Sequence, residues 1–492
     1  MAAPARSDDG TPTIAVVGGG ITGLSAAWSL ATSDSPLHVV VLEGDVRFGG
    51  KIRGAEIGGR PVDVGPDAFV ARRPEGVDLC RQVGLGDELV APGSRNAYVW
   101  ARARLRPLPA GLALGVPTRL GPLARSGILS PLGLGRAAVD LLRRPPTSPH
   151  FAAADRAVDD VVRGKLGREV ADRLADPLIG GIHAGPTAGM SAAAVFPPLL
   201  EASNRGGSLM RALRNAPTGS APGPVAVPGV GDDDSPVFLR VRGGMNRLTD
   251  QLVGALRECG VALRTGSPVE RIEHRRAPSP RWQLQGPGGD VDADGLVVAV
   301  PADVSARLLA PVDAVLADLL AGIAYADVTL VTLRCTESDV GRPLDGTGFL
   351  VPADGRRLVT ACTWLSSKWP ELRRPGEILL RASAGRYGDD RASRLDDDEL
   401  VVRVVAELAG LMELRGRPIE AVVTRWPGSF PQYAVGHRER VAAIEDRAAA
   451  LPCLALAGAA LRGVGIPACI ASGRLAAATV GRGLASADED PS

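Results

Sequence analysis

Thr13 to Val17 is a β-branched apolar run without polar alternation, the pattern of a strand covered on both faces. Gly18-Gly19-Gly20-Ile21-Thr22-Gly23 follows, and Leu24 to Ala31 then reads as a helix. A second apolar run, Leu37 to Leu42, ends at Glu43. Strand-type runs return at Pro61 to Val64, Val237 to Val241, Val261 to Arg264, Pro268 to Glu273, Trp282 to Leu284 and Leu296 to Val300. Pro74 to Val90 is amphipathic, and Met245 to Glu258 has helical spacing. Between 325 and 385, apolar and polar positions alternate in several runs, as antiparallel strands do. Leu454 to Ala457, glycine turns at Gly463 and Gly465, and a helix from Pro467 complete the pattern.

Strands of the nucleotide-binding type therefore fall in three separated stretches. The predicted class is α/β, an α+β composite in which 11–75, 237–310 and 440–485 assemble one discontinuous Rossmann-type unit. Residues 311–439 are predicted as a unit with an antiparallel sheet, and 76–214 as a mainly helical segment. Residues 215–236 are rich in Pro, Gly and acid, with little to bury, and read as a flexible loop.

Composition narrows the function. A chain of 492 residues, 45% hydrophobic and 23% charged, is neither disordered nor a small stapled scaffold. Its net charge of +1 gives no global field for nucleic acid. All but three of the 56 basic residues are arginine, which fits a GC-rich coding bias. Within 95–145, however, Arg95, Arg102, Arg104, Arg106, Arg119, Arg125, Arg136, Arg143 and Arg144 face one acid, Asp140. That segment reads either as a basic surface for a membrane or anionic ligand, or as a plain solvated helical face. Six scattered cysteines without a C-x-x-C suggest free thiols rather than a metal site or a disulfide framework. The first residues lack the apolar core of a secretory signal, and no run of about eighteen apolar residues occurs. A cytoplasmic protein is expected.

The glycine run is G-x-G-x-x-G in its strand–turn–helix context. Gly18 permits the tight turn, Gly20 lets backbone approach a pyrophosphate, and Gly23 lets helix pack on strand. The helix N-terminus offers unpaired N–H groups to phosphate. Glu43 is placed to accept bonds from ribose hydroxyls. Arg47, Gly49-Gly50 and Lys51 extend this to E-x-x-x-R-x-G-G-K. The extension resembles one shared by flavoprotein amine oxidases, phytoene desaturases and protoporphyrinogen-type oxidases; by itself the glycine doublet could equally be a surface turn.

More segments resemble the protoporphyrinogen/coproporphyrinogen oxidase family: Gly180 to Gly185, Phe238 to Met245, Thr360 to Trp364, Arg425 to Pro427, Pro431 to His437 and Gly463 to Ile470. They span nearly the whole chain, and Val464-Gly465-Ile466-Pro467 is the most specific. The resemblance implies an amine-oxidase-type FAD unit, a substrate unit and a helical segment over the active-site mouth. It implies six-electron oxidation of a porphyrinogen, with hydride passing to FAD and dioxygen yielding hydrogen peroxide. No side-chain nucleophile, catalytic base or metal is required.

Carried over by position, the resemblance assigns Gly18, Gly19, Gly20, Ile21, Thr22, Gly23, Glu43, Gly49, Gly50 and Lys51 to FAD. It adds Gly65, Pro66, Asp67, Ala68, Val269, Trp426, Val464, Gly465 and Ile466. Trp426 could alternatively be plain core. Arg72 and Arg73 are assigned to substrate propionates, Trp364 to stacking on a pyrrole, and Ile182 and His183 to a loop beside the macrocycle. Two surface arginines is the bland reading of Arg72 and Arg73. Some relatives carry a tyrosine where Ser383 stands, with Tyr387 nearby.

The coproporphyrinogen III branch resembles the chain best, with product passing to a ferrochelatase. Protoporphyrinogen IX is the alternative substrate. An amine oxidase or carotenoid desaturase on the same fold is a more distant one. Amine oxidases need an aromatic cage, which 3% aromatic residues would make hard to assemble.

Overall fold

The computed structural model describes residues 10–144, 154–216, 236–275 and 281–489. Most of the predicted 215–236 loop therefore lies outside the described residues.

The strand Thr13–Val17 is buried along its whole length and sits in the middle of a five-stranded parallel sheet. The order across that sheet is Ala262–Arg264, His38–Leu42, Thr13–Val17, Gly295–Val298 and Leu454–Leu456. Five strands from three distant parts of the chain thus share one sheet. A parallel sheet must be covered on both faces, which is why these runs are apolar without alternation. The strand order reverses beside Thr13–Val17, so its carboxyl end and that of Gly295–Val298 diverge into a crevice. Helix Ile21–Ala31 starts there, and the long helix Ile466–Glu489 packs against it.

The second large element is a seven-stranded sheet. Its order is Glu420–Pro431, Tyr325–Thr336, Glu377–Ala384, Val359–Trp364, Gly348–Leu350, Tyr98–Ala101 and Arg104–Pro107. All neighbours run antiparallel except Gly348–Leu350 beside Tyr98–Ala101. Two of these strands come from the stretch expected to be mainly helical. Tyr98, Val99 and Ala101 are buried while Arg102 and Arg104 are exposed, a β-hairpin pattern that the density of arginine obscured. The described residues of 120–214 are mainly helical, and include a π-helical stretch, Ala171–Gly180, that contains Pro177. Proline has no N–H to give an α-helical bond, and its ring forces the turn to widen.

The basic segment is therefore half strand and half helix, not one helical face. Its single acid is turned inward: Asp140 has no exposed surface. Its carboxylate accepts from Ser208 Oγ at 2.9 Å and from the Leu209 and Met210 amides at 3.1 and 3.0 Å. Among the described residues no helix is long and apolar enough to cross a membrane.

Candidate functional site

A cavity of about 620 Å³ lies between the crevice of the parallel sheet and one face of the seven-stranded sheet. Its first wall is mostly backbone. Gly18, Gly20, Ile21 and Thr22 border it where the first helix begins, and that helix has no side-chain cap. The amides of its first turn thus remain available to an anion. Gly49 and Gly50 border it too, Gly49 giving its amide to the Gly19 carbonyl at 2.9 Å. Glu43 stands at the edge with its carboxylate fixed by the Gly19 and Asp45 amides, at 2.6 and 2.8 Å.

Gly19 and Gly23 do not border the cavity; they support those residues that do. A Cβ at Gly23 would lie 1.9 Å from the Gly18 carbonyl oxygen, so helix and strand approach closely only with glycine there. Val269 stands outside the lining as well, partly buried against the core around Trp282. The strand expected from Pro268 begins at Arg271 instead; Pro268 has no N–H to give a ladder, and it and Val269 pass close to Gly286.

The turn Gly65 to Ala68 crosses the cavity. Gly65, Pro66 and Ala68 line it, while Asp67 points away. Asp67 pairs with Lys368 at 2.9 Å and Arg381 at 3.1 Å, and accepts from the Trp369 indole at 2.9 Å. Burial alone would raise its pKa; the two cations hold it well below the usual carboxylate range. Asp67 is thus a clamp for the turn rather than a cavity residue. Arg381 adds bonds to the Asp63 and Gly65 carbonyls at 2.8 and 2.9 Å, and Trp426 gives its indole N–H to Val64 at 2.8 Å.

Lys51, Trp426, Val464, Gly465 and Ile466 all line the cavity. Lys51 donates its ammonium to the Ser429 carbonyl at 2.7 Å, and burial lowers its pKa. Ile466 begins the long helix, whose N-terminus presents positive partial charge to the cavity, worth about 0.3–1 kcal/mol to a negative charge there.

The residues expected to meet substrate separate sharply. Ile182 lines the cavity. His183, next to it, is only 1% exposed and turns its ring into the core beside Tyr433, 5.4 Å between centroids. Burial, helped by His437, pushes its pKa down to about 4, so the ring is neutral at pH 7. Trp364 has no exposed surface and packs on Tyr98 and Phe349 behind the sheet, where it cannot stack on a ligand. The reason is strand alternation: Trp364 projects into the core on the far side of the sheet. Arg72 is exposed outside the cavity lining, and Arg73 pairs with Glu75 at 3.2 Å.

Several lining residues had not been singled out: Asp176, Phe238, Tyr325, Arg381, Arg386 and Phe430. Arg381 carried a legible signal, a charge inside the apolar strand run Ile378 to Ala384. Ser383 borders the cavity; Tyr387 lies outside it. With Phe69 and Trp426, five aromatic rings line one cavity of a chain that is 3% aromatic. Composition therefore did not forecast where its few rings collect.

The residues fit FAD: an uncapped helix start and open backbone at Gly20 for the pyrophosphate, and Glu43 for the ribose. Residues 21–481 match the model of the flavin containing amine oxidoreductase family. The chain is 31% identical over 475 residues to coproporphyrinogen III oxidase of Bacillus subtilis, covering 95% of this chain and 97% of that one. It is 29% identical over 500 residues to protoporphyrinogen oxidase of Bos taurus, covering 95% and 98%. A crystal structure from Exiguobacterium sp. 255-15, provisionally named a protoporphyrinogen oxidase, superposes with a TM-score of 0.82 at 28% identity, covering 96% and 99%. Fold, cavity chemistry and full-length similarity agree: the chain belongs to the flavin containing amine oxidoreductases and, within them, to the protoporphyrinogen/coproporphyrinogen oxidase family of FAD-dependent enzymes.

Proposed function

We propose that the protein oxidises coproporphyrinogen III to coproporphyrin III in heme biosynthesis, with dioxygen as final acceptor. The balance is a loss of six hydrogens from the macrocycle, taken in three two-electron steps, with three dioxygen reduced to three hydrogen peroxide. FAD, when bound, supplies the two-electron acceptor; the hard redox chemistry is the cofactor's.

The observation that carries the reading is one cavity with two unlike walls. Backbone amides and Glu43 line one side, where they would hold the nucleotide, while Ile182, Phe238, Phe430 and Arg386 offer apolar surface and charge on the other. The chain's own residues bind and orient. The Arg381 and Trp426 hydrogen bonds fix the Gly65 turn at the cavity, where the turn would back the cofactor, and buried apolar side chains keep water out. His183 is withdrawn, so proton transfer by this imidazole has no part in the proposal.

The assignment of 11–75, 237–310 and 440–485 to one cofactor-binding unit is part of the proposal, supported by the five-stranded sheet that draws strands from all three. A cytoplasmic location and transfer of product to a ferrochelatase belong to the same reading.

Initial rates of porphyrin fluorescence with FAD-loaded protein, corrected for spontaneous oxidation, test it. Coproporphyrinogen III should exceed protoporphyrinogen IX by about tenfold or more, or ~1.4 kcal/mol in the transition state. Equal rates or a reversed order would move the assignment to protoporphyrinogen IX, a reading that the bovine relative favours. Background rates for both would end it.

A further inference from the structure

The cavity shares part of its wall with a second space. Asp176, Val351, Thr360 and Arg386 border it and also border an outer cleft of about 580 Å³ between the helical segment and the seven-stranded sheet. Asp176 and Arg386 are the only charged residues common to both linings among the described residues. They pair directly at this shared boundary, the throat between the two spaces, each with a side chain 15% exposed.

The pair is loosely engaged. Arg386 Nη1 lies 3.3 Å from Oδ2, and Nη2 lies 3.2 and 3.3 Å from Oδ1 and Oδ2. Charge-assisted bonds of this type usually measure about 2.7–2.9 Å. Asp176 has separate anchors, accepting the Thr187 amide at 3.1 Å and its hydroxyl at 3.3 Å. It can therefore give up the guanidinium and keep hydrogen-bond partners.

The neighbouring cations are committed. Arg381 is spent on two carbonyls and Asp67, while Lys51, which gives one N–H to the Ser429 carbonyl, follows the Gly49-Gly50 turn on the backbone wall and is no part of the throat. In the outer cleft Arg163 holds Asp159 and Asp172 at 2.7 and 2.8 Å, and Arg391 holds Asp389 at 2.6 Å. A ligand bearing several carboxylates and reaching from the inner cavity to this boundary meets one exchangeable cation there among the described residues. That cation is Arg386.

We propose that Arg386 receives a propionate carboxylate of the porphyrinogen in exchange for Asp176, making the throat a specificity-determining subsite for the carboxylate arms. The inference rests on the porphyrinogen reading above. Exchange of one carboxylate for another keeps Arg386 paired, but it leaves the Asp176 charge beside the arriving one. The two halves of the pair must then act with opposite sign. Losing the cation weakens ligand binding, and neutralising the anion strengthens it.

The experiment uses the FAD-loaded full chain and titrates coproporphyrin III, followed by its absorbance and fluorescence, alongside coproporphyrinogen III kinetics. Arg386→Gln should weaken binding roughly ten- to hundredfold and raise KM to match, with kcat within about threefold. Arg386→Lys should recover part of the loss. Asp176→Asn, which can still accept from Thr187, should bind more tightly than wild type. Wild-type binding by Arg386→Gln, or unchanged or weaker binding by Asp176→Asn, would overturn the proposal, since a bracing ion pair suffers from either side. Should Arg386→Gln fail to retain FAD, the sign of the Asp176→Asn effect decides. Wild-type protein that neither binds coproporphyrin III nor oxidises any porphyrinogen would overturn the functional reading, and the throat proposal with it.

Discussion

The two walls of the cavity are built in opposite ways. The nucleotide wall uses backbone: Gly18, Gly20, Gly49 and Gly50, and a helix start without a cap. Its geometry follows from spacing within about thirty residues, because a turn and a helix N-terminus are local objects. The facing wall uses side chains: Ile182 from the helical segment, Arg381 and Ser383 from one strand, Trp426 and Phe430 from another. None of these is near another wall residue from a different element in sequence. What they touch depends on which face of a strand survives toward the cavity, and one residue's shift reverses that.

The walls meet at a buried joint, and breaking it should have the largest effect. Arg240 has no exposed surface and contacts Asp63 at 3.0 Å and Glu371 at 3.0 Å, with Trp369 beneath it at 5.4 Å. Its contact with Asp63 is electrostatic, because the angles leave Arg240 Nη2 and Asp63 Oδ2 without a hydrogen bond. Arg240→Met should destabilise by about 3–5 kcal/mol, because Asp63 is left as a buried carboxylate without its cation. A urea titration that shows less than about 1 kcal/mol would mean the walls are joined elsewhere.

Next in size is the response to acid of the core beside Ile182, behind the side-chain wall. The unfolded chain binds a proton on His183 near its ordinary 6.5, which the folded chain refuses until about 4. The unfolded state therefore holds more protons between these values. Stability is complete above pH 6.5 and falls as pH drops through that window, by at most ~3 kcal/mol. His183→Gln should flatten the urea-midpoint profile between pH 7 and 4.5. His437, whose burial also lowers its pKa, leaves a residual slope. An unchanged profile in the variant would show that His183 is not the titrating group.

The nucleotide wall should respond through cofactor retention instead. Glu43→Gln removes the charge but leaves an acceptor for the Gly19 amide, so FAD should bind about tenfold more weakly with little change in fold. Release of flavin fluorescence on dilution measures it. Destabilisation without flavin loss would make Glu43 a turn brace only.

The smallest effect sharpens the contrast most. Trp364→Phe should change porphyrinogen kcat/KM by less than about twofold, an effect below ~0.5 kcal/mol. Its indole is enclosed behind the sheet with an unbonded N–H, out of reach of the cavity. A large rise in KM at unchanged thermal midpoint would bring the stacking role back.

Sequence alone determined the elements of the backbone wall: the central strand and the glycine turn with Glu43 at its edge; it also marked the chain's return as a strand from Leu454 and a helix from Pro467, which the structure starts one residue earlier. These depend on hydrophobic runs and on positions where a Cβ has no room, as at Gly23 and at Gly65, where it would lie 2.1 Å from the Lys51 carbonyl oxygen. It also determined that 325–385 is antiparallel, since period-two alternation is itself a local signal. Tertiary structure decided which side of that sheet faces the cavity. It put Trp364 and the His183 ring in the core, gave Asp67 to Lys368 and Arg381, joined the arginine-rich hairpin 98–107 to the sheet, and set Arg386 opposite Asp176 across 210 residues. The physical reason is range. A glycine's steric allowance and a helix's exposed amides are fixed by adjacent residues, whereas the partner of a charge or ring is fixed only when distant strands settle into register.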